Sequence, residues 1–193
     1  MKKIVVVNSL TLDGVMQAPG RPDEDARGGF THGGWAIPYN DAVMGRTMGE
    51  QMTGQGSLLL GRRTYEDLYG YWPKQKDNPF TPVLNATRKY VASTTLAEPL
   101  PWENSTLLKG DAVDAVAALK AEGNDTLTIL GSGALIQALQ QRGLIDEYLL
   151  LIHPLLLGAG TRLFPYGVPI APLRLINSVT TTKGVVIATY QPA

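Results

Sequence analysis

The sequence predicts an α/β fold: a three-layer sandwich around a mixed, mainly parallel sheet that ends in a C-terminal antiparallel hairpin. Three observations predict it. Ile4-Val5-Val6-Val7 and Leu58-Leu59-Leu60 are wholly apolar, without the alternation of a half-buried strand, and read as strands covered on both faces. Such strands alternate with segments of helical spacing in the order βαβαβ…βαβ. Two late strand patterns flank Lys183-Gly184, a hairpin signal.

The elements follow in order. Ile4–Val7 is the first strand. Residues 13–38 carry Asp13-Gly14, Pro19-Gly20, Arg21-Pro22, Gly28-Gly29 and Gly33-Gly34, so they read as a long loop, and a loop of that length in a compact domain is usually functional. Asn40 is the expected cap of a helix to about Met52, with Met44, Met48 and Met52 on one face and Gly54 and Gly56 ending it. The stripe reads as core, or as the lining of an adaptable pocket. Ser57–Leu60 is the second strand, Arg62–Tyr69 a helix, 73–87 a proline-containing loop and Lys89–Ser93 the third strand. Thr106–Leu108 follows, then a helix capped by Asp111 with Val113, Val116 and Ala117 inward. Leu127–Leu130 precedes a helix with Leu135, Ile136 and Leu139 inward and Gly143 at its end. Glu147–Ile152, Leu173–Thr182 and Val185–Tyr190 complete the strands. No repeat or domain boundary is evident, and one domain over 1–193 is expected.

Composition excludes several functions. The 193 residues are 44% hydrophobic and 18% charged, an ordinary globular balance. Net charge is zero and no basic stripe carries interleaved aromatics, so nucleic acid is not an expected partner. There is no cysteine, which removes disulfides, thiolate metal sites and cysteine nucleophiles. His32 and His153 have no second histidine at ligand spacing, so no metal is expected, and His153 reads as a packed or surface imidazole, with a pocket-facing one as the other reading. Ser132 lacks a nucleophile elbow. The apolar start is too short for a signal segment, and no run approaches a membrane span. A cytoplasmic protein with no membrane partner is the expectation.

Two segments share a design of buried strand, glycine and helix: Leu58-Leu59-Leu60-Gly61-Arg62-Arg63-Thr64 and Thr128-Ile129-Leu130-Gly131-Ser132-Gly133-Ala134. A helix N-terminus offers unpaired N–H groups and partial positive charge, and glycine lets backbone approach a phosphate. Two such ends at the carboxyl side of parallel strands suit a pyrophosphate between them. Each turn also has a plain reading, in which glycine ends a strand and eases packing. Arg62 and Arg63 oppose the macrodipole at a helix start, which a bound phosphate would offset.

These residues resemble a known family. Gly61-Arg62-Arg63-Thr64-Tyr65-Glu66 is similar to the glycine-arginine-x-threonine-aromatic-glutamate motif of dihydrofolate reductases. Asn8-Ser9-Leu10-Thr11-Leu12-Asp13-Gly14-Val15 resembles the first strand and turn of that superfamily on its riboflavin-pathway reductase branch. Tyr90–Thr94 resembles its third-strand segment, and Leu130-Gly131-Ser132-Gly133 its triple-glycine turn. Pro154-Leu155-Leu156-Leu157-Gly158-Ala159-Gly160, ending in Leu163-Phe164, resembles the riboflavin branch again. The matches run in family order across nearly the whole chain.

The resemblance implies a dihydrofolate reductase-like fold, an NADPH cofactor and a homodimer. It places Gly61, Arg62, Arg63 and Thr64 at the cofactor phosphates and Ser93 and Thr94 near the adenosine 2′-phosphate. Leu130, Gly131, Ser132, Gly133 and Ala134 fall at the pyrophosphate, with a cis peptide between Gly131 and Ser132. Asn8 and Ser9 lie beside the nicotinamide, and Asp13 to Met16 shape a mobile loop over it. Asp41 is the nearest counterpart of the acidic substrate anchor and the candidate catalytic residue; its other reading is a first-turn acid favoured by the helix dipole. Leu151 stands where a threonine usually partners that acid. Gly61–Thr64 replaces the riboflavin enzymes' glycine-threonine phosphate segment, and no deaminase domain is read. Trp35, Tyr39, Tyr69 and Trp72 are candidates for stacking on a flat ring or for ordinary packing. The expected activity is hydride transfer from NADPH to a small heterocyclic or imine substrate, pterin- or aminopyrimidine-like. Three alternatives stand beside it: the riboflavin-pathway 5-amino-6-(5-phosphoribosylamino)uracil reductase, an NADP-binding module without turnover, and a structural dimer that binds no nucleotide.

Overall fold

The computed structural model describes residues 1–52 and 56–193, and the side chains of all of these but 51 and 52. Eight strands form one sheet in the order β4-β3-β2-β5-β1-β6-β8-β7. They are β1 (Lys3–Thr11), β2 (Gly56–Gly61), β3 (Lys89–Ala92), β4 (Ser105–Leu108), β5 (Thr126–Leu130), β6 (Glu147–His153), β7 (Leu173–Thr180) and β8 (Val186–Pro192). The helices are α1 (Ala42–Met52), α2 (Arg62–Tyr71), α3 (Phe80–Ala86), α4 (Ala112–Ala121) and α5 (Gly133–Gln141). This is the expected α/β fold with a mixed, mainly parallel sheet. By its internal contacts the chain divides into two compact units, Met1–Val5 with Gln55–Ile145 and Val6–Gly54 with Asp146–Ala193.

In the first unit β2 pairs in parallel with β3 and β5, and β3 in parallel with β4. Leu59, Leu60, Val91, Leu127 and Ile129 are fully buried, as strands packed on both faces require. Asp111 caps α4 as expected, accepting from Val113 and Asp114 N–H. Its buried face is Val116 and Leu119 rather than Val113 and Ala117. Leu135, Ile136 and Leu139 of α5 are buried, and Gly143 (φ +62) follows the helix end.

The stretch 73–87 is not simply a loop. It contains α3, and Asn78 shapes the turn before it, its side-chain oxygen accepting from Phe80 N–H at 3.0 Å. Pro82 sits in the first turn of α3, where its missing N–H costs nothing. Proline content pointed to loop because a breaker in mid-helix and a tolerated residue at a helix start look alike in sequence.

In the second unit β8 lies between β6 and β7, antiparallel to both, and Lys183-Gly184 turns the hairpin. The first strand runs to Thr11, beyond the expected Val7, because buried Asn8 and Thr11 are hydrogen-bonded rather than strand-ending. The cap of α1 is Asp41, not Asn40: Asp41 Oδ1 accepts Met44 N–H at 2.8 Å, while Asn40 closes the preceding 3-10 turn. Met44 is buried; the Met52 side chain and Gly54 lie outside the described residues. The 13–38 segment is a loop with two short 3-10 turns, and Val15, Ala18, Phe30, Trp35 and Ala36 form an apolar cluster within it.

Candidate functional site

In the first unit the carboxyl ends of β2 and β5 each run into a helix, and hydrogen bonds tie the two turns together. Ser132 N–H donates to Thr64 Oγ1 at 2.9 Å, and Gly61 N–H donates to Ser132 Oγ at 3.0 Å. The Ser132 hydroxyl in turn donates to Leu130 O at 2.9 Å. Gly61, Thr64, Leu130, Gly131 and Ser132 therefore form one cross-braced element. Gly131 has φ +55, and a Cβ there would lie 3.0 Å from Thr64 Oγ1, so this close turn favours glycine. Ser132 is also left-handed (φ 52, ψ 39), and its two hydroxyl bonds offset the cost of that conformation. The left-handed pair makes the turn without a cis peptide. Glu98–Pro99 is the cis bond among the described residues, so the expected cis link at Gly131–Ser132 is corrected.

Both helix starts are suited to an anion. Neither α2 nor α5 has a side-chain cap or an acid in its first turn, so their first N–H groups and positive dipole ends are unopposed. Arg62 and Arg63 lie on the first turn of α2; Arg62 is partly exposed and pairs with Glu66 at 3.0 Å, while Arg63 is exposed. Such an exposed pair is weak, and Arg62 can leave it for a phosphate. Thr64 keeps its hydroxyl hydrogen to donate, whereas the Ser132 hydroxyl is spent on Gly61 and Leu130. Ala134 is exposed on the first turn of α5, beside Gly133. Ser93 and Thr94 follow directly on Ala92, the register partner of Gly61. Ser93 Oγ accepts from Thr95 and Leu96 N–H at 3.1 and 3.0 Å, which folds the chain into a tight turn and leaves Thr94 exposed. The donor set fits the phosphates of a dinucleotide: backbone N–H groups, two guanidinium groups and hydroxyls.

The remaining candidates lie in the second unit. Asn8 is buried and Ser9 half-buried on β1. Asp13 accepts from the Thr11 hydroxyl at 2.5 Å and from Leu157 and Gly158 N–H at 3.2 and 2.8 Å, with Arg162 beside it at 3.6 Å. The Thr11 hydroxyl chiefly, with those two backbone donors, holds its carboxyl down to about 2. Asp13 is thus a bracket between the loop and 157–162, and Met16 N–H extends it by donating to Thr161 O at 2.8 Å. Asp41 has both oxygens engaged: Oδ2 accepts the Thr182 hydroxyl at 2.7 Å and Lys183 N–H at 3.3 Å. Its Met44 bond above all keeps the carboxyl well below the ordinary range. An ionised carboxylate in this setting accepts hydrogen bonds and has no proton to give.

Comparison with known proteins matches this architecture. The RibD C-terminal domain family matches residues 2–187. The chain belongs to that family. Over 98% of its length it is 28% identical to the uncharacterized protein YyaP of Bacillus subtilis (strain 168), covering 94% of that protein. It is similar to the crystal structure of a protein provisionally assigned to riboflavin biosynthesis from Shewanella sp. PV-4 (26% identity, TM-score 0.69, 99% of each chain). A pyrimidine reductase-like protein from Corynebacterium diphtheriae shares the fold (12% identity, TM-score 0.64, 100% of this chain and 92% of that one). So does a dihydrofolate reductase from Enterococcus faecalis complexed with NADP(H) (14%, TM-score 0.61, 98% and 96%). Membership of the RibD C-terminal domain family supports a reductase-type function, as the motif resemblance implied.

Sequence reasoning missed the residues that support the site. Tyr65 is buried inside the Gly61–Glu66 motif, and its hydroxyl accepts Trp102 N–H at 3.0 Å. Lys89 is fully buried, donating to the carbonyls of Asn85, Thr87 and Glu103, 4.4 Å from the Trp102 ring centre. Gln17 donates to Asp25 O and Arg27 O and accepts from Thr161, joining the loop to 161. A charged residue opening a strand was the available signal for Lys89. For Gln17 there was none, since its partners are backbone groups and one hydroxyl, all distant in sequence.

Proposed function

We propose that this RibD C-terminal domain family member is an NADPH-dependent reductase that delivers hydride to a small heterocyclic or imine substrate. The observation that carries this is the cross-braced pair of helix starts at Gly61–Thr64 and Leu130–Ala134, with Arg62 and Arg63 on the first turn of α2. A bound reduced nicotinamide supplies the hydride, so the chain needs no nucleophile of its own. Its phosphate-site residues bind and orient. Arg62 and Arg63 neutralise phosphate, Thr64 donates its hydroxyl, and the backbone at Gly131–Gly133 approaches the pyrophosphate. Ser93 and Thr94, at the end of β3, favour the extra phosphate of NADPH over NADH. Asn8 and Ser9 take the nicotinamide end, on the resemblance. Asp41, held ionised, serves to anchor an N–H-bearing substrate.

Calorimetry with NADPH and NADH on wild type and Arg62→Ala tests the reading. The expected result is NADPH binding, weakened in the variant by about 1.5–3 kcal/mol for a lost charge-assisted contact. A well-folded wild type that binds neither nucleotide overturns it and leaves the fold without this function; NADPH binding without turnover of any pterin, aminopyrimidine or imine favours the binding-module alternative.

A narrower reading, the riboflavin-pathway aminopyrimidine reductase, draws support from the family and from the provisional assignment of the Shewanella relative. Rescue of a riboflavin auxotroph lacking that reductase supports it, and failure of an expressed, folded protein to rescue counts against it. We also propose that the protein is a homodimer. β7 is the last strand of the sheet and is exposed along nearly all its length, with Leu173, Leu175 and Ile176 in solvent. Such an edge invites strand pairing, and sedimentation of wild type against Leu175→Lys reads whether it is used.

A further inference from the structure

His153 ends β6 with its imidazole fully buried. Nδ1 lies 2.9 Å from Leu151 O and 3.3 Å from Leu10 O. Two carbonyl oxygens at one ring nitrogen require that nitrogen to carry the hydrogen, which leaves a lone pair on Nε2. Nε2 is itself buried and has no hydrogen-bond partner among the described residues. The edges and faces of Trp35 and Tyr39 enclose the ring, with centroids 5.1 and 5.5 Å away. Trp35 is anchored by its indole N–H to Gln17 O at 2.7 Å and belongs to the apolar cluster of the 13–38 loop, against which Leu155 and Leu157 pack. The imidazole therefore joins the ends of β1 and β6 to the inner side of that loop.

We propose that His153 is a proton-operated latch for the 13–38 loop: neutral, it seats Trp35 and Tyr39 against β6, and protonated, it releases them. A proton can add only at Nε2, where the new N–H meets no acceptor among the described residues. Around the ring, β1 and β6 present the carbonyls of Leu10 and Leu151, the loop presents Trp35, and the 3-10 turn that closes it presents Tyr39; none carries a charge that would compensate an imidazolium. Burial accordingly pushes the His153 pKa below 6.5. Three acids in or beside the loop are held out of this range. Asp13, Asp25 and Asp41 are each held below the ordinary carboxylate value, by the Thr11 hydroxyl, by Arg27 and by Met44 N–H. The sign follows: an opened loop returns the imidazole to its ordinary pKa, so the open form binds the proton more tightly. The latch holds fully above about pH 6.5, and the open fraction then rises up to about tenfold per pH unit until the closed form itself titrates.

The latch does not rest on nucleotide binding; a chain that bound no NADPH would still show it. Hydrogen exchange by mass spectrometry on the full chain at pH 7.5 and 5.5, corrected for intrinsic rates, reads the peptides covering 13–38. Their protection is expected to fall severalfold at pH 5.5 while that of β5 and α4 holds. His153→Gln can donate to the same carbonyls but cannot take up a proton, and its loop is expected to keep one protection at both pH values. Unchanged wild-type protection, or an equal loss in His153→Gln, overturns the proposal. A second measurement needs no change at the latch. The chain has two histidines, and in the His32→Gln variant nitrogen NMR reports on His153 alone. An Nδ1–H tautomer titrating below 6.5 is expected, and an Nε2–H tautomer with an ordinary midpoint overturns the latch.

Discussion

Ser132 N–H and Thr64 Oγ1, 68 positions apart in the chain, meet at 2.9 Å and lock the first turn of α2 to the turn before α5. Neither helix start is anchored by its own side-chain cap, so this bond and its companion from Gly61 N–H to Ser132 Oγ set the spacing of the two helix starts. Thr64→Val keeps the shape and removes the acceptor, leaving a part-buried N–H unpaired. It should cost about 1–2 kcal/mol of stability, read by denaturant unfolding, and weaken NADPH about tenfold by calorimetry.

Tyr65 positions the same helix from below. Tyr65→Phe strands the buried Trp102 N–H, and a loss of about 1–2 kcal/mol is expected in urea unfolding. The Phe ring keeps its packing near Tyr69 and Trp102, so Tyr65→Ala should cost considerably more; equal losses in the two variants would show that the hydroxyl, not the ring, dominates.

Asp13 makes the loop bracket acid-sensitive. Its folded pKa of about 2 lies below the ordinary 3.8, so its contribution is present above about pH 4 and is lost as pH falls toward 2. Asp13→Asn should lower stability at pH 7 by about 1–2 kcal/mol, with a difference from wild type that shrinks across this window. Thermal melts at pH 7, 4 and 2.5 measure it.

Lys89 gives the opposite dependence. Burial pushes its ammonium down to about 8 from 10.5, so the unfolded chain holds the proton more tightly and wild-type stability gains as pH rises from about 8 to 10.5. Lys89→Met removes that gain and leaves the carbonyls of Thr87 and Glu103 without their donor. A loss of about 2–4 kcal/mol at pH 7 is expected, and the wild-type minus variant difference against pH carries the signature.

Periodicity made the sheet-and-helix order legible, because Leu58–Leu60 or Leu135, Ile136 and Leu139 satisfy only one burial pattern. It failed where one residue type serves two roles: Pro82 starts a helix where proline suggested a loop, and Asn8 and Thr11 continue a strand where polarity suggested its end. The glycine turns at Gly61 and Gly131 were readable as phosphate-type turns, since backbone geometry is local. That Thr64 and Ser132 brace each other was not, nor that Asp13 binds 157–158 and His153 lies under Trp35.

The sequence by itself determined the strand order, every helix but α3, the family and the pair of anion-suited helix starts, because these rest on side-chain periodicity and on motifs of a few adjacent residues. Only the tertiary structure decided which hydroxyl braces and which is left to donate, that Asp41 is an ionised helix cap, and that the His153 lone pair is buried. Each of those depends on partners distant in sequence, and hydrogen-bond satisfaction is a property of the folded neighbourhood, not of the residue.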